Sequence, residues 1–332
     1  MKYIKRWLML RGAGITKYVP PQHLADYSDM WTHLFESLVR QVKGTGEVWC
    51  KGPNCDVHFD CSNLIRRHRM KFSEFDEFKP DIIWQRGSYS DYRPILTRNP
   101  KAIIIYYGAG SSWCPPVNSQ FDMILVDCKA QLDVVGKLHP DTVCKLLIKP
   151  AVETIYKPLK LRKQYDLVFV CNRPREFKGA KWLASRLPDK THVLRIGPPD
   201  KWFEYEAKSG RLQVKFVGKL APKDVASEAC KAKIGAVVDN GKSDSGPRIL
   251  PEFLAMNIPV LVRNCVRVDQ DRYVNSWTGL SVNNKNFLVR FSHLLNSWES
   301  YKPREWYDAH IATDKAAGKL LKQIHNYMKA KR

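Results

Sequence analysis

Short apolar runs alternate with helical patterns along the whole chain, and this alternation limits the possible folds more than any other feature of the sequence. The runs in the first half are IKRWLML, GEVWC, DIIWQ, AIIIYY, DMILVD and CKLLIK, and those in the second half are DLVFVC, THVLRI, QVKFVG, IGAVVD and IPVLV. Between these runs, apolar residues recur at helical spacing near residues 29–42, 178–187, 222–231 and 248–256. Continuous apolar strands separated by helices predict parallel sheets that are buried on both faces.

The strand–helix pattern occurs twice, which predicts two domains. A chain of 332 residues is long enough for two cores, because a single core usually stops growing at roughly 250–300 residues. A basic segment with two prolines separates the two runs at 149–164. We therefore predict doubly wound α/β domains at 1–150 and 151–303, with ligands in the cleft between them, and a C-terminal helix at 304–332 that returns toward the N-terminal domain.

The composition is strongly basic. The chain has 55 Lys and Arg residues against 33 Asp and Glu residues, which gives a formal net charge of +22 at pH 7. A field of this size costs self-repulsion and favours polyanionic partners, namely nucleic acid or an anionic membrane surface. The basic residues are spread along the chain, so the folded surface itself should be positive.

The sequence predicts a cytoplasmic protein. No apolar run approaches the roughly 20 residues of a membrane-spanning helix, so we expect no transmembrane segment. The N-terminal MKYIKRWLML is interrupted by Lys5 and Arg6, which is typical of a first strand and not of a signal peptide. The nine cysteines form an odd set, and several stand in apolar runs, as reduced thiols do in the cytoplasm.

One group of possible metal ligands has two interpretations. Cys50, Cys55, His58 and Cys61 lie close together in CKGPNCDVHFDC. Zinc sites usually contain paired CxxC elements, and this segment has none. We expect a strand end followed by a loop and no metal ion, with a zinc site as the alternative.

A basic segment follows the first strand of the second half. In VFVCNRPREFKGAKWL, Arg173 and Lys178 stand where the strand turns into a helix. The amino end of a helix attracts anions, and Arg adds a bidentate grip on phosphate oxygens. The two residues therefore predict a clamp for a diphosphate, with a solvated basic loop as the alternative.

A second polar segment, DSGPRILPEFLAMNIPVLV, spans residues 244–262. Its turn at Ser245 and Gly246 should expose backbone N–H groups that can hold phosphate. Asp244 precedes this turn, and Glu252 follows it in the first turns of the predicted helix. We expect the Glu252 carboxylate to accept hydrogen bonds from a sugar diol, with a surface or capping role as the alternative.

These segments together resemble the donor-binding domain of GT-B glycosyltransferases, in particular the retaining family 4. Its Gly-Arg-…-Lys-Gly element is matched from Asn172 through Lys178 and Gly179, and its E-x7-E element is matched by Asp244 and Glu252, with Asp in place of the first Glu. VKFVGKLAPKDVASEACKAKIGAVV resembles the family's V-x-F-x-G strand, helix and next strand, and TGLSV resembles the turn that follows. The resemblance covers residues 165–285, and the first half shares only the architecture.

The resemblance implies a GT-B fold, two Rossmann-like domains facing across a cleft, and roles for the matched residues. Arg173 and Lys178 would neutralise the donor diphosphate as it leaves, and Asp244 would hold the sugar, so these three are the predicted catalytic residues. The predicted donor-binding residues are Gly12, Gly14, Gly179, Ser245, Gly246 and Glu252. The resemblance implies no metal and no cofactor beyond the nucleotide sugar, with a UDP-sugar such as UDP-glucose as the expected donor.

The first half departs from the family in one respect that concerns the sugar. Many members carry a His after a middle strand, whereas this chain has Tyr107 and Gly108 there. We expect Tyr107 in the cleft all the same, together with Arg86 and Tyr89, which follow the strand DIIWQ. The identity of the sugar and of the donor base stays open.

Basic and aromatic residues are interleaved in the N-terminal half, which binds the acceptor in GT-B enzymes. Cations and stacking platforms suit nucleic acid with a base drawn out of the helix. We expect DNA with hydroxymethylated pyrimidines as the acceptor, as in phage DNA glycosyltransferases, which would act in the host cytoplasm. The predicted acceptor-binding residues are Arg66, Arg67, Arg69, Arg86, Tyr89 and Tyr107.

Two other functions remain open. Peripheral membrane enzymes that glycosylate lipopolysaccharide, glycolipid or polysaccharide share the fold and are also basic, because they hold anionic membrane. The other hypothesis is a nucleic-acid-binding protein that has the same fold without glycosyltransferase activity, since a fold alone does not define a function.

Overall fold

The computed structural model of the protein describes residues 5–11, 30–50, 65–69, 78–86, 100–108, 121–172, 176–241, 247–266 and 270–331. The chain forms two compact units. Unit 1 comprises Met1–Ile148 and Thr313–Arg332, and unit 2 comprises Lys149–Ala312. The sequence placed these divisions at residues 150 and 303.

Unit 1 contains a parallel sheet. Its strands are β1 (Arg6–Arg11), β2 (Thr45–Cys50), β3 (Ile65–Arg69), β4 (Ile82–Arg86), β5 (Ile103–Tyr107), β6 (Met123–Val126) and β7 (Val143–Leu146). Within the described ranges they form a seven-stranded sheet in the order β3-β2-β1-β4-β5-β6-β7, with every pair parallel. All four residues of β6 and Trp7–Leu10 of β1 are buried, as expected for a sheet that is covered on both faces.

Helices α1 (Met30–Gln41) and α2 (Lys129–Leu138) belong to the first part of unit 1. α1 buries Leu34, Leu38 and Val39, which recur at helical spacing. Its Trp31 packs edge-to-face on Trp84 of β4, with ring centroids 6.1 Å apart. The core of this unit therefore contains a cluster of large aromatic side chains at the centre of the sheet.

Unit 2 contains a second parallel sheet. Its strands are β8 (Tyr165–Val170), β9 (His192–Ile196), β10 (Gln213–Phe216), β11 (Ala232–Val237), β12 (Val260–Arg263) and β13 (Gly279–Val282). Their order is β10-β9-β8-β11-β12-β13, and every pair is parallel. This is the strand order of a Rossmann fold.

Of the described helices of unit 2, the first four alternate with the strands from β8 to β12, and the last two follow β13. These helices are α3 (Ala180–Ala184), α4 (Lys201–Lys208), α5 (Pro222–Ala229), α6 (Ile249–Ala255), α7 (Phe287–Ser297) and α8 (Pro303–His310). Pro222 and Pro303 begin α5 and α8, at a position where a missing N–H costs nothing. Asp200 caps α4 by accepting a hydrogen bond from the Phe203 N–H.

The segment between the two sheets packs onto unit 2. The Lys149 N–H donates to the Tyr273 hydroxyl at 3.1 Å, and the Ala151 N–H donates to the Tyr307 hydroxyl at 2.8 Å. Both tyrosines are buried. These bonds fix the start of unit 2 at Lys149.

The last helix, α9 (Thr313–Lys331), returns to unit 1 and packs on α1. Asp314 at its start accepts a hydrogen bond from the Ser37 hydroxyl at 2.6 Å and pairs with Arg40. Tyr327 and Lys331 near its end bind the carboxylate of Asp122. The apolar face of α9 buries Ala316, Ala317, Leu320, Leu321 and Ile324.

Most predicted strands are present, and three local predictions need correction. We predicted no strand at 65–69, where the structure has β3 at the sheet edge. TGLSV, predicted as a turn, is largely the edge strand β13. The C-terminal segment, predicted as a single helix, forms two helices, because Ile311 and Ala312 are not helical and separate α8 from α9.

Candidate functional site

The strand order of unit 2 reverses between β8 and β11, and this reversal locates the candidate site. In open α/β sheets, ligands bind outside the carboxyl ends of the strands at such a switch point. β8 continues through residues 171–179 into α3, and β11 continues through 238–248 into α6. The side chains of these two connections therefore define the site.

Lys178 lies on the β8 side of the switch point, and Asp239 lies on the β11 side. Lys178 ends a short 3-10 turn, and its Nζ is 3.6 Å from Oδ2 of Asp239. Asp239 is 3 % exposed, and its Oδ1 accepts the Gly241 N–H at 2.8 Å. A buried carboxylate thus holds a partly exposed ammonium group at the carboxyl edge of the sheet, where that group can bind an anion.

Gly179 allows the two connections to approach each other. Its φ is +78°, and a Cβ at this position would lie 2.0 Å from the Val238 carbonyl oxygen. Only glycine satisfies both the left-handed backbone and the close contact without a shift. The predicted basic motif therefore ends in a residue that sets how closely the β8 connection lies to β11.

Glu252 lies in the first turn of α6 and is half-buried. Burial raises the pKa of this carboxyl to about 7, against the opposing effects of the Arg248 charge and a hydrogen bond from the Tyr156 side chain. Tyr156 is buried in the segment that begins unit 2. The Glu252 carboxyl is thus anchored by two neighbours and is a hydrogen-bonding group that titrates near neutral pH.

A buried arginine fixes the next strand end along this edge. Arg195 of β9 is fully buried, and its Nε donates to the Asp200 carboxylate at 2.8 Å. Its Nη2 donates to the carbonyl oxygens of Cys171 at 3.1 Å and Pro198 at 2.9 Å, and its Nη1 donates to the Ile196 carbonyl. Arg195 therefore ties the end of β8 to the loop after β9, so the connection toward Lys178 starts from a fixed point.

Some predicted residues of the donor site lie outside the described ranges. These are Arg173, Asp244, Ser245 and Gly246 in unit 2, and Gly12 and Gly14 in unit 1. Lys178, Gly179 and Glu252 are described. Lys178 and Gly179 belong to the connection after β8, and Glu252 lies in α6, which follows the connection after β11.

The sequence analysis did not select Asp239, Tyr156 or Arg195. Signals for two of them are present in the sequence. An Asp directly follows the apolar run IGAVV, and an Arg interrupts the apolar run HVLRI. Charged residues at such positions must find partners when the strand is buried. Tyr156 carries no comparable signal, because its partner Glu252 is distant in sequence.

Unit 1 has a switch point of its own, between β1 and β4. Arg11 and Arg86 are paired at the carboxyl ends of these two strands. The predicted acceptor residue Tyr89 lies outside the described ranges, as do Cys55, His58 and Cys61 of the cysteine group. The side chain of Arg86 is also outside the described part of the structure.

Arg66, Arg67 and Arg69 belong to β3, and β3 is an edge strand whose residues pair with Gly46–Cys50 of β2. The side chains of these arginines are not among those that the structure describes. Because β3 is an edge strand, the backbone of these three arginines lies at one margin of the unit 1 sheet.

Tyr107, a predicted acceptor residue, ends β5 and is 1 % exposed. Its hydroxyl donates to Oδ1 of Asp127 at 2.6 Å, and its ring lies 4.2 Å from that of Trp31. Gln131 accepts the Asp127 N–H and donates to the Gly108 carbonyl oxygen, each at 3.1 Å. Tyr107 thus supports Asp127, a buried carboxylate at the carboxyl edge of the sheet that the sequence analysis did not select.

Among the residues with a described structure, no group of three or more His, Cys, Asp or Glu side chains is arranged to hold a metal ion. In the same residues, no helix is both long enough and apolar enough to cross a bilayer.

The chain is similar to known proteins in structure and not in sequence. No protein-family model matches the sequence, and a search of curated proteins finds no match. Solved structures match nearly the whole chain. Sucrose-phosphate synthase from Thermosynechococcus elongatus has a TM-score of 0.66 and 12 % identity, with 98 % of this chain and 100 % of that chain covered.

Two further structures match over a similar length. The Anabaena protein HepE in complex with UDP and glucose has a TM-score of 0.62 and 10 % identity, with 96 % of this chain and 99 % of that chain covered. WaaG, a glycosyltransferase involved in lipopolysaccharide biosynthesis, has a TM-score of 0.56 and 13 % identity, with 94 % and 98 % covered. At such identities the likeness is one of fold. The predicted fold class, two doubly wound α/β units of the GT-B type, is confirmed.

Proposed function

We propose that the protein is a glycosyltransferase that moves a sugar from a nucleotide-diphosphate sugar to a polyanionic acceptor. The observation that carries the proposal is Lys178, held beside Asp239 at the switch point of unit 2. A partly exposed cation at that edge suits the diphosphate of a donor. The GT-B fold and the solved complex of a matching structure with UDP and glucose support the same class of donor.

The reaction breaks the bond between the anomeric carbon and a diphosphate oxygen, and the bonding electron pair goes to that oxygen. Lys178 and Arg173 stabilise the negative charge that builds there. A hydroxyl oxygen of the acceptor forms the new bond to the anomeric carbon, and its proton passes to the departing diphosphate. The resemblance to family 4 supports retention of the anomeric configuration, with Asp244 holding the sugar.

We propose a UDP-sugar, with UDP-glucose first among the candidates, as a donor handled without a metal ion. Arg173 and Lys178 supply the positive charge that a metal would otherwise provide. Glu252 binds the ribose hydroxyls, and Gly12, Gly14, Gly179, Ser245 and Gly246 bring backbone N–H groups to the phosphates.

The acceptor that we propose is DNA with hydroxymethylated pyrimidines, as in phage enzymes. The support is the net charge of +22, which suits a polyanion, together with the arginines of β3 at the sheet margin of unit 1. Arg86 and Tyr89 complete the proposed acceptor site. Tyr107, which the sequence analysis also assigned to it, is buried and supports Asp127 instead.

A lipopolysaccharide or another membrane-borne glycan is the second candidate acceptor. WaaG and a lipopolysaccharide outer core galactosyltransferase, WaaB, are among the matching structures. The same positive charge would then hold the enzyme on anionic lipid.

One assay separates these functions. The protein is incubated with radiolabelled UDP-sugars alone, with hydroxymethylated DNA, or with lipopolysaccharide in anionic vesicles. Label in DNA supports the first acceptor, and label in lipopolysaccharide supports the second. DNA binding without release of UDP under any of the three conditions would indicate a non-catalytic nucleic-acid-binding protein and would overturn the proposal.

Lys178→Ala should lower kcat about 10²–10³-fold, because one fixed cation that faces the leaving group is lost. The fold should persist, since the side chain is partly exposed. The matched control is Lys181→Ala, which removes the same charge at a position three residues from Lys178. The Lys181 side chain is exposed and lies over Trp202. Turnover near the wild-type value in Lys178→Ala would remove this lysine from the diphosphate clamp.

A further inference from the structure

Two arginines cover one indole at the start of α3. The guanidinium carbon of Arg263 lies 4.5 Å from the centre of the Trp182 ring, and that of Arg186 lies 4.9 Å from it. The Trp182 Nε1–H donates to Oδ1 of Asn284 at 2.6 Å. We name Trp182, Arg186, Arg263 and Asn284 the Trp182 cluster.

The cluster lies at the carboxyl edge of the unit 2 sheet, where a doubly wound sheet binds its ligands. Arg263 is the last residue of β12, and Asn284 follows the end of β13. Trp182 is close in sequence to Lys178, because it is three residues beyond Gly179. The two groups otherwise depend on different strands: Lys178 and Asp239 follow β8 and β11, whereas Arg263 and Asn284 lie at the ends of β12 and β13. The Trp182 cluster is therefore a separate group of residues on the same edge.

Neither arginine forms an ion pair with any of the residues that the structure describes. Within the described ranges, the Arg186 guanidinium donates to the Trp182 carbonyl and the Ser185 hydroxyl, each at 3.2 Å. The Arg263 guanidinium makes no hydrogen bond within the described ranges, so its five N–H donors have no partner among those residues. Burial and the nearby Arg263 charge both lower the pKa of Arg186. Two like charges are thus held together without a compensating anion from the described chain.

Asn284 adds oriented donors to the same place. Because its Oδ1 accepts the indole N–H, its amide nitrogen is turned away from Trp182 with two N–H donors. Asn284 is exposed, and both arginines are half-buried. The donors of the cluster can therefore be reached from solvent, while the indole beneath them is 8 % exposed.

We propose that the Trp182 cluster is a second oxyanion site, which binds a phosphate monoester group independently of the donor diphosphate. Guanidinium forks match phosphate oxygens with paired hydrogen bonds, and a doubly charged phosphate neutralises both arginines. Both guanidinium groups lie against the indole, and the ring is buried, so no exposed ring is left for a base to stack on. The site recognises the phosphate group itself, either as free phosphate or on a phosphorylated metabolite.

Calorimetric titration of the full chain tests this assignment with inorganic phosphate and with glycerol 3-phosphate, at constant ionic strength. We expect wild type to bind at least one of the two. Tighter binding of the ester would identify a phosphorylated metabolite as the source, and tighter binding of inorganic phosphate would identify the free ion. Arg263→Gln and Arg186→Gln should each weaken binding at least about tenfold, because a charge-assisted pair of hydrogen bonds is lost.

Three variants make the result specific. Arg263→Lys keeps the charge and loses the fork, so its affinity should lie between those of wild type and Arg263→Gln. Lys208→Gln removes a charge from an exposed position on α4 and should bind as wild type does. Lys178→Gln should also retain binding, which distinguishes the cluster from the donor site.

Two results would overturn the proposal. One is the absence of binding by wild type at millimolar concentrations. The other is equal affinity in wild type and in the two Gln variants, with melting temperatures of the ligand-free proteins as a check on folding. In either case the arginines only cover the indole.

Discussion

At the scale of one residue, burial changes the protonation of Glu252. Its pKa is raised to about 7 from an ordinary value of 4.5, so between these values the folded protein holds a proton that the unfolded chain has lost. The sign for stability follows from this difference. The contribution of the carboxyl to the free energy of unfolding decreases as the pH rises from 4.5 through about 7, because the folded state must then release its proton.

The same titration should appear in donor binding. Above about pH 7 the Glu252 carboxylate can accept two hydrogen bonds from a ribose diol, so the donor KM should fall as the pH rises from about 6 to 8. Glu252→Gln should raise the donor KM, leave kcat nearly unchanged and flatten this part of the profile, because a ribose contact serves ground state and transition state alike. Steady-state kinetics with UDP-sugar across this pH range are the measurement. A fall in kcat at unchanged KM would instead mean that Glu252 touches the transferred sugar.

At the scale of elements, the junction between β8 and α3 depends on Gly179. Gly179→Ala should lower the free energy of unfolding by more than about 1 kcal/mol, because a Cβ would strike the Val238 carbonyl in a left-handed backbone. Gly210→Ala is the matched control, since Gly210 has a φ of +74° and open space around the added Cβ. Urea unfolding of both variants measures the difference. Equal losses would show that backbone conformation alone, and not the contact with the Val238 carbonyl, restricts residue 179 to glycine.

The sequence predicts elements well where burial produces continuous apolar runs. β5 and β6 are such runs, and both were predicted from their residues alone. β3 reads IRRHR, and an edge strand with this composition has no apolar pattern to detect. The break between α8 and α9 is a tertiary feature, because the two helices pack on different units.

The candidate site was predictable to the extent that its residues are neighbours in sequence. Lys178 and Gly179 belong to one motif, and Glu252 stands at a motif spacing from Asp244. The pairing of Lys178 with Asp239 joins two strands across the switch point, and the bond from Tyr156 to Glu252 joins the segment that begins unit 2 to α6. Such contacts follow from strand order, which apolar patterns do not specify.

At the scale of the whole molecule, the charge of +22 makes a prediction about the acceptor. If DNA is the partner, binding should weaken steeply with salt, since each neutralised phosphate releases counterions. Arg66→Ala, Arg67→Ala and Arg69→Ala combined should flatten the salt slope and raise the acceptor KM. Donor hydrolysis without acceptor should not change. Filter binding at several salt concentrations and steady-state kinetics are the measurements.

The control for that triple variant is a second one in unit 2, with Lys201, Lys208 and Lys215 replaced by Ala. It loses the same formal charge from side chains that are all exposed. If both triple variants lose the same share of the salt slope, the effect comes from total charge and the β3 arginines are not the DNA-binding surface. A wild-type protein that partitions onto anionic vesicles and leaves hydroxymethylated DNA unmodified would favour the membrane-borne acceptor.

The return of α9 to unit 1 has a consequence for the order of events at the ribosome. Unit 2 is continuous in sequence, whereas unit 1 is interrupted by all of it. The nascent chain therefore carries α1 without its partner helix throughout the synthesis of residues 149–312. During this time Asp314, which binds Ser37 and Arg40 in the folded protein, has not been synthesised. Domains usually complete their folding in the order in which they are translated. Here the unit that is begun first is finished last.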